Sequence, residues 1–193
     1  MNLRNLYAQG MAEALNMTLH ELYDWERAIR DDGQFSGGRS GPGGGTPATP
    51  GNVALLLSAI LGSPTKRNAG RIAKTLNLGA MYISPNQQSR DAFGEQKCPL
   101  TGQSYFGEAL TVLLALPQKA RDIDRIEVDP DIKTFTIWES YSLDGKIYTP
   151  KHRFAFPDAD EKEVPPIRTV RILTGKALRA IAEAMAADEE DNG

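Results

Sequence analysis

The chain has 193 residues, with 22 Lys and Arg against 25 Asp and Glu, for a formal charge of −3. Its 40% hydrophobic content is enough to bury a core, while the single cysteine, Cys98, excludes an intramolecular disulfide framework and any cysteine-rich zinc site. No 18-residue apolar run could span a bilayer, and the opening MNLRNLYAQGMAEAL lacks the apolar stretch of a signal peptide, so a soluble, cytoplasmic protein with no membrane partner is expected.

The near-neutral total hides an uneven distribution. Residues 1–32 hold three Arg and six acids. Residues 33–90 hold six cations (Arg39, Lys66, Arg67, Arg71, Lys74, Arg90) and no acid, and residues 91–193 hold 13 basic and 19 acidic residues. An acid-free stretch of this length inside an acidic chain points to a surface that meets a polyanion, or to a segment that packs against its own acidic remainder.

In chain order, Met11–Leu15 reads as a short helix whose small Ala12 and Ala14 permit close packing. Asn16 stands where a tight interhelical turn needs a residue tolerant of left-handed backbone, and Met17 would plug the gap behind it. Thr18 is an N-cap, and Glu21 three residues on completes a capping box. Leu22, Trp25 and Ile29 form the buried stripe of the second helix, leaving Leu19, His20, Tyr23, Asp24, Arg27 and Arg30 outward. Residues 33–51 contain eight Gly and three Pro and read as a flexible linker. The preceding 32 residues are too few for a core of their own, so they must dock on the remainder, dimerise, or gain order on binding.

Beyond the linker, Thr49 can cap a helix with Pro50 in its first turn, leading into Val53–Leu61. That run is apolar on nearly all sides, the mark of a buried or self-associating helix. A second helix, KRNAGRIAKTLNL, is expected to be capped by Ser63 or Thr65, and a third starts near Ser104 and stops at Pro117. Residues 84–104 read as irregular. From Ile123 the period becomes two: strands at 123–129 and 133–141, a hairpin turn at Asp144-Gly145, short strands IYT and HRFAF, an acidic Pro-rich loop at 157–166, and a strand TVRILTG. A final helix at 176–186 precedes a frayed acidic tail. The fold class is therefore α+β: helices around a small antiparallel sheet in 52–188, preceded by a helix-turn-helix module at 1–32 and a linker at 33–51, and followed by an acidic tail at 189–193.

The run A-E-A-L-N-M-T at 12–18, followed by Trp25-Glu26-Arg27, resembles the MerR-like and excisionase-like helix-turn-helix modules of bacterial and prophage regulators. The resemblance covers about 25 residues and implies that the N-terminal half of the second helix enters the major groove of double-stranded DNA. His20, Tyr23, Asp24 and Arg27 would then reach base edges or phosphates, and Thr18 would hold a phosphate at the helix N-terminus. The module is locally acidic, so Arg30, Arg39, Lys66, Arg67, Arg71 and Lys74, or a second copy in a homodimer, would have to supply phosphate contacts. Ala73–Leu78 repeats the A-x-x-L-N-apolar shape of 12–17, but a plain helix end at Leu76-Asn77 accounts for it.

No P-loop, paired histidine ligands or activated nucleophile stands out, so neither cofactor nor metal is implied and an enzyme is not expected. Cys98 precedes a proline in a polar stretch with no base beside it in sequence and reads as an inert surface thiol; His152 reads as a strand residue. The expected function is a DNA-binding transcriptional regulator acting as a dimer, with helix 53–61 and the α+β domain supplying dimer or protein contacts. Two alternatives remain: a phage assembly protein resembling a small terminase subunit, and a protein-interaction module or antirepressor that uses the helical hairpin on protein.

Overall fold

A computed structural model of the chain describes residues 1–35, 45–82, 94–156 and 168–191. Residues 36–44 of the glycine-rich linker, with Arg39, and also Arg90 and the loop at 157–166 lie outside the described residues.

The chain opens with α1 (Leu3–Leu6), a π-helical turn (Tyr7–Met11) and α2 (Ala12–Leu15), then reverses into α3 (Leu19–Asp31). Gly10, at φ 141°, breaks the helical geometry inside the π turn. Asn16 adopts φ 51° and ψ 46°, the left-handed conformation expected at the reversal. Thr18 caps α3 reciprocally: the Glu21 amide donates to the Thr18 hydroxyl at 3.2 Å, and the Thr18 amide donates to the Glu21 carboxylate at 2.8 Å. The Thr18 amide, joined by the Thr18 hydroxyl donating at 2.8 Å, holds the Glu21 carboxyl below its usual range. Thr18→Ala removes the box and is expected to lower stability by about 1 kcal/mol, read as a shifted urea midpoint with unchanged slope.

Helix α4 (Pro50–Gly62), capped by Thr49 with proline in the first turn, runs through the centre of the molecule. Val53, Leu56, Leu57 and Ala59 are fully buried, and α3, α5 (Ala69–Leu76) and α6 (Phe106–Ala115) all pack on it. Its all-round apolarity therefore serves intramolecular burial, and a dimer built on helix 53–61 is corrected by the packing: the side chains that would mediate it already face other parts of the same chain. Helix α5 begins at Ala69, later than predicted, and neither Ser63 nor Thr65 caps it. The Ser63 hydroxyl donates to the Thr65 carbonyl instead, and the first turn of α5 is capped from α3, with the Gly70 and Arg71 amides donating to Asp32 at 2.8 and 3.3 Å. It ends at Leu76-Asn77 as predicted.

A five-stranded sheet has the order β1-β6-β3-β2-β7, every pair antiparallel. Its strands are β1 (Ala80–Tyr82), β2 (Ile123–Asp129), β3 (Thr134–Glu139), β6 (Lys151–Ala155) and β7 (Arg171–Thr174). Strand β1 falls within a stretch that sequence periodicity leaves unassigned. A separate hairpin, β4 (Tyr141–Leu143) with β5 (Lys146–Tyr148), turns at Asp144 and Gly145, both at positive φ, as the Asp-Gly pair requires. Helix α6 ends at Ala115, and α7 (Pro117–Ala120) follows directly after Leu116. Helix α8 (Gly175–Asp191) runs through most of the predicted tail.

The first 32 residues share one hydrophobic core with the rest. Leu3, Leu6, Tyr7, Met11, Leu22 and Ile29 join the same cluster as Leu56, Phe106, Phe135, Phe154 and Ile181. Of the three ways in which so short a segment could gain order, docking on the remainder is the one this arrangement uses. A fragment ending at residue 35 would leave these side chains without partners.

Candidate functional site

The outer face of α3 lines a cleft of about 300 Å³ together with α1; its walls are Arg4, His20, Tyr23, Asp24, Glu26, Arg27 and Arg30. Burial of Leu22 and Ile29 against the core turns the opposite face of α3 outward, which places His20, Tyr23 and Arg27 at the surface. Tyr23 sits on Tyr7, ring centroids 5.7 Å apart, and the Arg4 guanidinium lies 5.4 Å from the Tyr23 ring centre.

Glu26 is buried, at 2% exposure. Its carboxylate accepts hydrogen bonds from the Tyr7 hydroxyl at 3.3 Å, from the Thr46 hydroxyl at 2.9 Å and from the Arg30 guanidinium, which also donates to Thr46 at 3.0 Å. Burial first, and then the negative charge of Glu26, drive the Tyr7 phenol far above its ordinary range, so Tyr7 stays a neutral donor. Arg30 is therefore committed to an internal ion pair while keeping 43% of its side chain in solvent.

Asp24 pairs with Lys66 at 2.7 Å and lies 3.9 Å from His20, whose side chain is 86% exposed. The hydrogen bond from Lys66 pulls the Asp24 carboxyl below its usual value. Gly70 lets α5 approach α3: a Cβ there would come within 3.1 Å of the Ile29 Cα and 3.0 Å of the Asp32 Cβ. The Asp24–Lys66 pair and the Asp32 cap thus tie the start of the basic segment to the predicted recognition helix.

The remaining predicted residues disperse. Thr18 has both its amide and its hydroxyl engaged by Glu21, so an anion at the α3 N-terminus would meet a carboxylate already in place. Arg67 is exposed in the turn before α5. Arg71 lines a different cleft, with Gly62, Leu76 and Phe156, while Lys74 lines a third with Tyr105 and Glu108. Of the cations in 64–74, Lys66 is joined to the α3 cleft by its ion pair with Asp24. Arg4, which sequence reasoning overlooked, joins the cleft through tertiary packing.

A second cluster lies in the core, far from this face in sequence. His152 on β6 bonds Glu139 at the end of β3, 2.5 Å away, and the Cys98 thiol bonds both His152 and Thr101. Burial pushes the thiol up, but the hydrogen bonds from His152 and Thr101 outweigh it and leave Cys98 below its ordinary value. His152 is raised to about 9 by its hydrogen bond to Cys98, opposed by burial and assisted by Glu139. The surface thiol predicted for Cys98 is corrected: it is fully buried and has a base beside it, because residues 98 and 152 meet only in the tertiary structure. No three His, Cys, Asp or Glu side chains among the described residues are placed to share a metal ion, and no described helix is long and apolar enough to cross a membrane.

No protein-family model matches the chain, and no curated protein or solved structure matches it.

Proposed function

We propose that the chain is a sequence-specific DNA-binding regulator of the helix-turn-helix type, related in its reading helix to MerR-like and excisionase-like modules, with α3 presented to the major groove. One observation carries this reading. With Asp24 matched by Lys66 and Glu26 by Arg30, Arg4 and Arg27 line the α3 cleft with no direct ion pair among the described residues, Arg27 acting on Asp24 only at longer range, beside the exposed His20 and Tyr23. Phosphates are the natural complement of such a face, and a helix anchored by a capping box and a shared core can hold side chains in register with base edges. Arg67, Arg71 and Lys74 lie on other parts of the surface and would add affinity only if the duplex bends or a second copy binds.

With α4 buried, the dimer contact falls to the β4–β5 hairpin, whose residues are all exposed and include Ile147 at 78% and Leu143 at 56%. Two-stranded ribbons are marginal alone, which favours a covering protein surface. This hairpin also favours the second reading, a protein-interaction module.

Fluorescence anisotropy against genomic fragments at low salt tests the proposal. Wild type is expected to bind a subset of fragments, and Arg27→Ala with Tyr23→Ala to weaken that binding about tenfold or more. Binding that is absent, or indifferent to this double substitution, would sink it. Light scattering on the same sample separates a dimer from the many-subunit ring of an assembly protein.

A further inference from the structure

We infer that the cleft between α5 and the β2–β3 turn is a binding site for an amphipathic organic anion, an apolar body carrying one carboxylate. The cleft has a volume of about 470 Å³, within the range of small-molecule sites. Its walls are apolar, with Ile72 and Leu76 from α5 and Phe156 just beyond β6. Its rim carries Arg71, Lys133 and Arg171, with Asp131 as the one acid among the described lining residues.

The rim charges are not equivalent. Arg171 is held as a fixed part of the wall, donating to the Ile60 carbonyl at 2.9 Å and to the Ser63 carbonyl, where it closes the C-terminal end of α4. Asp131 accepts the Thr169 amide at 2.9 Å, which ties its charge to the backbone of the opposite wall. Arg71 is exposed, makes no ion pair among the described residues, and projects from a helix whose first turn is already capped by Asp32. A ligand carboxylate on Arg71 would therefore displace water and no protein partner, while its apolar body would cover Ile72, Leu76 and Phe156. A cation of the same shape would meet the positive charge of Arg71, and an uncharged alcohol would gain only the apolar contact.

Arg71 also belongs to the basic segment proposed to meet phosphate, so an occupied cleft would neutralise one of its charges. Binding of the anion is measured without DNA, so this inference and the DNA reading fail independently.

Isothermal titration of the full chain with decanoate, decanol and decyltrimethylammonium, each below its micellar concentration, tests the inference. Decanoate is expected to bind and raise the melting temperature, with decanol about tenfold weaker and the ammonium weaker still. Arg71→Glu should weaken decanoate about tenfold and leave decanol unchanged, because it reverses the charge and spares the walls. Thr75→Trp, which fills the cleft from an exposed position on α5, should abolish both, its folding checked by circular dichroism. No decanoate binding, equal binding of the ammonium probe, or an unchanged decanoate affinity in Arg71→Glu would each overturn it.

Discussion

Replacing Glu26 by alanine is expected to lower the stability of the whole chain by about 3 kcal/mol, among the largest effects of any single substitution in it. Glu26 holds three groups, and truncation leaves the buried Thr46 and the Tyr7 hydroxyl without their shared acceptor and Arg30 without its counter-charge. Breaking a fully buried ion pair costs more, but Arg30 keeps 43% of its side chain in water and can rehydrate. Glu26→Gln, which keeps the shape and part of the hydrogen bonding, should cost about half as much. Urea unfolding followed by far-UV circular dichroism checks the order: a loss in Glu26→Gln as large as in Glu26→Ala would show that the hydrogen bonding glutamine retains contributes nothing and that the carboxylate charge accounts for the whole effect. Because the same network fixes α3 against the π-helical turn through Tyr7, Glu26→Ala should also weaken the DNA binding proposed for Arg27 without touching that residue.

The Cys98–His152–Glu139 cluster is expected to make stability depend on pH through two opposed contributions. His152 has its proton affinity raised in the folded chain, from 6.5 to about 9. Its contribution is therefore fully present below pH 6.5 and is lost as pH rises through about 9. Cys98 acts with the opposite sign: a thiol held below its usual 9.0 contributes above that value and loses its contribution as pH falls through its folded pKa. In thermal melts from pH 6 to 10 the margin of wild type over His152→Gln, about 2 kcal/mol near neutrality, should decline as pH rises through about 9. Cys98→Ala should lower the midpoint of the decline, because the hydrogen bond to Cys98 is the largest influence raising His152. A margin that stays constant across this range would assign any alkaline decline to another group.

Much of the local structure was legible in the sequence because it is governed by neighbours along the chain. The left-handed turn at Asn16, the capping box of Thr18 and Glu21, the stop at Leu76-Asn77, the Asp144-Gly145 hairpin and the alternation of β2 and β3 all rest on contacts a few residues apart. Glu26 was half-legible. It stands at i+4 from Leu22 and i−3 from Ile29, on the buried stripe itself, but its acidic character masked the spacing. The start of α5 was misplaced because its cap comes from Asp32, 38 residues away from Gly70.

By itself, then, the amino-acid sequence determined an α+β chain of one acidic module, a basic acid-free stretch and an acidic body, and it marked α3 as the helix that shows polar side chains to solvent. The tertiary structure alone decided which charges stay available. It pairs Asp24 with Lys66 and Glu26 with Arg30, brings Arg4 to the cleft, turns Arg71 and Lys74 toward other surfaces, and buries Cys98 against His152. The physical reason is range. Backbone conformation and capping are set by interactions within one or two turns, whereas the state of a charge depends on whatever the fold places within a few ångströms of it, and that has no fixed spacing in the sequence.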